Sequence, residues 1–322
     1  MIRTADWRDL GLIHKVRNDG LCLDSQLAYT RGTSTIQAIL LDLLTPGRSA
    51  CMLVALPSER DKPSVLGQII HRIGDPHARL AFLGPEDSIS TTNGLMLLDE
   101  LGHASGERGA HHLIAEVDET NPVFESLRNA GFAIYARQRI WRLEEIPTID
   151  RSTANAAWRP VKSTDERAVS HLYINIVPAL VQQVEPPPSI ERRDLAHSLE
   201  GDVLGYLDIE RGPKGVWVQP YLHPAAENLD ELLAGFLGSY SDNHRRPLYF
   251  VVRSYQGWVS HGLERLGFTV CSDQAVMVKR LAALIRHPAR VQIPAVEGTR
   301  PEPTTPFVRD TFANSSQHTT DN

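Results

Sequence analysis

Glu116 stands out among the residues that could do chemistry, because it is a carboxylate inside the otherwise apolar run HLIAEV, residues 112–117. A carboxylate on a strand can act as a general base. The same position has a structural alternative, in which Glu116 pairs with an arginine across the sheet. Tyr135, three residues beyond Phe132, offers a hydroxyl that could act as an acid, although a strand tyrosine also serves core packing. Between the two lies the corner Asn121-Pro122. There the Asn side chain either caps a short helix with Pro at its first position or touches a ligand. Gly94 sits near the start of another helix, where a missing Cβ would let a phosphate approach the backbone N–H groups.

Other chemistries fail on spacing. The 13 histidines show no HxH or HxxxH pattern, and His111-His112 points to opposite faces of a strand, so no metal site is expected. GxSxG, P-loop and GxGxxG motifs do not occur, which removes the common hydrolase, nucleotide-phosphate and dinucleotide readings. Cys22, Cys51 and Cys271 are few, far apart and odd in number, and they read as thiols of a reducing compartment rather than a disulfide framework. A net charge of −6 gives no basic footprint for nucleic acid. With neither a signal peptide nor an apolar window of membrane length, the expectation is a cytoplasmic protein with no membrane partner.

The elements that must position these residues follow from periodicity. SACMLVALP (49–57), SVLGQIIHRIGD (64–75) and HARLAFLG (77–84) are β-prone runs between Pro, Gly and Asp clusters, so they read as an antiparallel meander. Leu95, Leu98, Leu101 and Ala104 or Ser105 then recur at helical spacing, with Ser88 or Ser90 as candidate N-cap and Gly109 as the stop. HHLIAEV is a strand, NPVFESLRNAGF a short helix with Phe124, Leu127 and Ala130 on one face, and IYARQRIWRL a closing strand. Alternation of strand and helix here makes part of the sheet parallel.

The second half repeats this order. Placing Gly131-Phe132 on Gly267-Phe268 also superposes Leu127 on Leu263 and Gln138 on Gln274, and it sets PLYFVV beside HLIAEV. VLGQI (65–69) matches VLGYL (203–207), and IRTADWRDLGLIHKV has a counterpart in WRPVKSTDERAVSHLY. A constant element order points to two copies of one domain. We assign residues 1–145 and 158–282 to the two copies, 146–157 to a linker, and 283–322 to an extension with a disordered tail rich in Thr, Ser and Pro. VEPPPS (184–189) reads as a surface turn, and GVWVQPYLHP and ENLDELLAGFLGSY as the strand and long helix of the second copy.

This order, and above all HLIAEVDETNPVFESLRNAGFAIYARQRIWRL, resembles the GNAT N-acetyltransferase superfamily. The resemblance implies an α/β fold of the α+β type: two tandem mixed-sheet domains, each with a splayed central strand pair and helices on both faces, the second copy degenerate. It further implies an acyl-CoA such as acetyl-CoA, its pantetheine arm between the splayed strands, and transfer to an amine of a small molecule or peptide entering from the other side. Under it, Leu80, Phe82, Leu83, Ser90, Thr92, Asn93, Gly94 and Asn121 would hold the cofactor, and Glu116 with Tyr135 would do the acid–base work. The sequence departs from the family where a glycine pair usually receives the phosphates, since GPEDSISTTNG places Glu86 and Asp87 there. The usual tyrosine four residues before Gly-Phe is Leu127 in one copy and Leu263 in the other. Two functions are therefore expected: an N-acyltransferase using the N-terminal cleft, or a binding or scaffold protein that keeps the fold without catalysis.

Overall fold

The computed structural model describes residues 1–32, 50–57, 63–72, 74–145, 158–191, 193–226, 228–240 and 246–281. The linker and tail assigned above fall outside the described residues.

In the first copy the strands are β1 (Ile2–Thr4), β2 (Leu21–Cys22), β3 (Ala50–Ala55), β4 (Val65–Ile70), β5 (His77–Gly84), β6 (His112–Val117) and β7 (Ala133–Leu143). Its helices are α1 (Leu10–Val16), α2 (Ser25–Arg31), α3 (Thr92–Glu107) and α4 (Val123–Asn129). The second copy supplies β8 (Arg159–Pro160), α5 (Glu166–Ile176), α6 (Ala179–Gln182), β9 (Leu195–Leu199), β10 (Asp202–Arg211), β11 (Val216–Leu222), α7 (Leu229–Ser239), β12 (Leu248–Arg253), α8 (Ser260–Arg265) and β13 (Thr269–Arg280).

All thirteen described strands join one sheet in the order β1-β3-β4-β5-β6-β13-β7-β12-β11-β10-β9-β8, with β2 on β5. The last strand of each copy therefore lies in the other copy's territory. β13 pairs with β6, β7 pairs with β12, and the two exchanged strands pair antiparallel with each other. Gln138 stands opposite Gln274 in that ladder, the residue on which the sequence repeat places it. A pseudo-twofold axis passes through this pair, and Gln138 Nε2 donates to Gln274 Oε1 at 2.9 Å.

The repeat holds in detail. Arg3 forks onto Asp9 at 2.7 and 2.8 Å, and Arg159 onto Asp165 at 2.7 and 3.0 Å, each aspartate also capping the turn before its helix. Gly131 and Gly267 both take φ +87°, which ends α4 and α8 without a Cβ clash. Phe132 N and Phe268 N then bond to Leu127 O and Leu263 O, and both rings enter the core. The leucines at the family's tyrosine positions are fully buried.

Helices cover both faces, as the strand alternation requires. On one side α3 and α4 pack Leu97, Leu98, Leu101, Phe124 and Leu127 on the first half of the sheet, and α7 and α8 pack Leu233, Phe236 and Leu263 on the second. On the other, α1 sets Ile13 and Val16 against Met52, Val54 and Phe82, and α5 sets Val169, Leu172 and Tyr173 against Tyr206, Tyr221 and Val276. Two local expectations are corrected. Thr91, not Ser88 or Ser90, caps α3, because a 3-10 turn over Glu86–Ser88 delays the helix. The run at 184–189 is a surface turn only from Pro186: Val184 is buried, and the Glu185 carboxylate turns inward to meet Arg253.

Candidate functional site

β5 and β6 are parallel and pair only over His77–Arg79 and His112–Ile114. Beyond that point they part, forming the splay that the resemblance implies. The gap is filled by the chain itself. Leu21 and Cys22 pair with Leu83 and Phe82. Leu23 N donates to Ala81 O at 3.0 Å, while Leu23 O accepts from Glu116 N at 2.9 Å. Residues 21–24 thus lie between the two strands and satisfy the facing backbone groups of both. Gly20 and Gly84 permit the close fit: a Cβ on Gly20 would stand 2.1 Å from the Phe82 ring, and one on Gly84 would stand 2.8 Å from Gly20 Cα. Leu80 and Leu83 are buried on the α3 side of the sheet and Phe82 on the α1 side.

Glu116 is 3% exposed. Its Oε2 accepts from Ser25 N at 2.9 Å and its Oε1 from Arg79 Nη1 at 3.2 Å. This geometry matches the structural alternative, a cross-strand arginine pair, with both carboxylate oxygens engaged. Asp24 Oδ1 approaches the same Arg79 nitrogen at 4.0 Å. A polar chain continues from Ser25 Oγ to Gln274 Oε1 at 2.8 Å, and so to Gln138 on the pseudo-axis.

At the start of α3 the structure gathers Ser90, Thr92, Asn93 and Gly94. Ser90 and Thr92 are exposed and Asn93 half-buried. Gly94 is buried, and a Cβ there would stand 2.2 Å from Ile89 O. The glycine is required by its own preceding turn rather than by an approaching phosphate. Gly94→Val should therefore lower stability by about 1–3 kcal/mol, read as a fall in melting temperature without added cofactor. A variant that melts like wild type would return Gly94 to a binding role. Across the mouth of the splay, Asn121 Nδ2 donates to Glu86 Oε1 at 2.7 Å, and Asn121 Oδ1 accepts from Val123 N at 2.8 Å. Asn121 thus caps α4 and clasps the β5–α3 turn.

Tyr135 is 6% exposed and donates its hydroxyl to Glu185, whose Oε1 also accepts from Arg253 Nη2 at 2.7 Å. Burial, with Glu185 beside it, raises the Tyr135 hydroxyl well above its ordinary range. For Glu185 burial acts to raise the carboxyl, but Arg253 and the Tyr135 hydroxyl outweigh it and hold the group below its ordinary range.

The second splay, between β11 and β12, opens beyond Val218 and Phe250. Here a side-chain amide from the turn after β12 bonds one wall, β11. Gln256 Nε2 donates to Pro220 O and its Oε1 accepts from Leu222 N, each at 3.1 Å. At the pseudo-axis a cavity of about 540 Å³ is lined by Thr120, Arg137, Arg139, Ser254, Glu264 and Asp273 among others. Each of its arginines is paired with a carboxylate, Arg137 with Glu119, Arg139 with Asp273 and Arg253 with Glu185.

Sequence reasoning missed Asp24, Arg79, Glu185, Arg253 and Gln256. Arg79 and Arg253 carried a signal, a charge in an apolar strand of the same kind as Glu116; Glu185, at the edge of a proline run, carried none. Among the described residues no cluster of His, Cys, Asp and Glu could hold a metal ion, and no helix is long and apolar enough to cross a membrane.

No family model matches this sequence, and no curated protein matches it. Solved structures do. A GCN5-related N-acetyltransferase from Sphaerobacter thermophilus aligns over 87% of this chain and 95% of its own, with a TM-score of 0.53 and 12% identity. A tandem GNAT protein from the clavulanic acid biosynthesis pathway aligns over 73% and 84%, at 0.45 and 15% identity. A GCN5-related N-acetyltransferase from Kribbella flavida aligns over 68% and 88%, at 0.46 and 11%. Set beside the splayed strand pairs and the repeated element order, the first likeness identifies the architecture: the chain carries the GNAT fold, laid down twice in a single sheet.

Proposed function

We propose that this chain is a GNAT-fold binding or scaffold protein whose two splays are closed to acyl-CoA. One observation carries the reading: Leu21–Asp24 occupies the N-terminal splay and is bonded to both of its walls. An acyl-CoA arm lying between β5 and β6 would need the same backbone groups. Three further features agree. Glu116 has both oxygens bound to protein donors, Gly94 is packed on Ile89, and Gln256 occupies two backbone groups of β11 beyond the point where the second splay opens.

The test is thermal denaturation with acetyl-CoA. A ligand present at 100 times its Kd stabilises the folded state by about 2.7 kcal/mol, so binding at millimolar cofactor would be plain. The expected result is no shift. A rise of several degrees would overturn the proposal.

The fold likeness and the retained splay favour a second reading, N-acyl transfer to an amine in the N-terminal cleft, with Leu21–Asp24 leaving when acyl-CoA enters. Under that reading acetyl-CoA raises the melting temperature, and Glu116→Gln lowers turnover by about 10² to 10⁴ with little change in cofactor affinity.

A further inference from the structure

We infer that, given the closed splay proposed above, the second copy is what keeps it closed: it grips α2, and through α2 it holds Leu21–Asp24 between β5 and β6. The degenerate copy then acts as an autoinhibitory contact built into the chain.

α2 follows Leu21–Asp24 without a break, since Asp24 is its N-cap and accepts from Leu27 N at 3.1 Å. In sequence the helix belongs to the first copy. In space it lies on β10 and β11 of the second. Seven residues are too few for a helix to hold itself in water, so its order comes from the surface it packs against. That surface is aromatic: the Tyr29 ring stands 4.6 Å from the Tyr249 ring and 6.0 Å from the Trp217 ring, centroid to centroid. Both ends of the helix are bonded to the second copy. At the first turn Ser25 Oγ donates to Gln274 Oε1 at 2.8 Å, and at the last Lys214 N donates to Thr30 O at 2.8 Å, satisfying a terminal carbonyl.

The turn between β10 and β11 that makes the last bond is shaped to the helix. Gly212 N donates to Gly215 O at 3.0 Å, and Arg246 Nη1 donates to Gly212 O at 2.6 Å. A Cβ on Gly212 would stand 2.2 Å from Thr30 O, and one on Gly215 would stand 2.7 Å from Tyr29 O. Neither glycine takes the positive φ that would require it for the turn alone. Gly74, in the corresponding turn between β4 and β5, has nothing within 4 Å of a Cβ. The close approach of α2 is what calls for glycine at 212 and 215. Leu21–Asp24 is therefore fixed from two sides, by β5 and β6 along its own backbone and by the second copy through the helix that continues it.

Gly212→Ala tests this from the second copy, because it sets one methyl group against a backbone carbonyl of α2 that cannot swing aside. The readout is hydrogen–deuterium exchange of the full-length chain without cofactor, at two amides: Leu23 N, bonded to Ala81 O, and Glu116 N, bonded to Leu23 O. Both should exchange at least about tenfold faster than in wild type, while the amides of the β3–β4 ladder keep their rates. Tyr29→Ala, which removes the ring from Trp217 and Tyr249 without adding a clash, should give the same selective loss. Wild-type protection of both amides in both variants would show that β5 and β6 hold the strand alone, and would overturn the proposal. So would a loss shared equally by the β3–β4 ladder, because the strand then opens only with the whole fold. A thermal shift of the wild type with acetyl-CoA would sink the closed-splay reading whatever the exchange rates show, so the two failures are told apart.

Discussion

Glu185→Ala should destabilise the protein by about 3–5 kcal/mol, the ordinary cost of breaking a buried ion pair from one side. The variant leaves Arg253, 3% exposed, with no carboxylate at 2.7 Å, and its Nε and Nη1 already lack partners. It also strips the Tyr135 hydroxyl of its acceptor. Glu185→Leu combined with Arg253→Met should recover most of the loss, because the pair is then replaced by apolar volume. The Glu185 carboxyl is held below its ordinary value, so its contribution is present above about pH 5 and fades as pH falls through the folded-state value. Urea melts at pH 7 and pH 3 check this: the gap between wild type and Glu185→Gln should narrow at the lower pH. A gap of equal size at both would show that packing, not charge, holds the 185 turn in place.

The sequence made the repeated elements legible because each copy buries the same apolar pattern. The leucines of α3, the alternation of β3 to β6 and the Gly-Phe corners are local signals, and local signals survive in a single sequence. Glu116 was legible as an anomaly, a charge in a buried strand, and the structure gives it partners that lie 37 and 91 residues away. No spacing rule reaches that far. The short β2 was invisible for a different reason. LCLD is too brief for periodicity, and its strand geometry is imposed by the edges of β5 and β6 rather than by its own propensity. The exchange of β7 and β13 was equally hidden, since each strand carries the same pattern whichever copy it pairs with. Gln138 and Gln274 were aligned by the repeat, but only the ladder shows that they face each other.

That exchange sets the largest expected effect. β7 takes both of its neighbours, β13 and β12, from the second copy, and β6 takes β13 on one edge. A fragment of residues 1–145 would therefore leave eleven residues of β7 without a partner strand and bare one edge of β6. Tyr135, Ile140, Trp141 and Leu143 are buried in the intact protein and would be exposed, at about 1.5–3 kcal/mol for each large apolar side chain. Unpaired strands with apolar faces associate with one another. Expressed alone, the fragment should be insoluble or aggregated. Co-expressed with residues 158–281, it should return to a soluble one-to-one complex, because the missing strands need no covalent link to pair. A stable, monomeric 1–145 fragment with native-like circular dichroism would show that β7 can fold back onto β6 in place of β13. The two copies would then be exchangeable domains rather than one interleaved sheet.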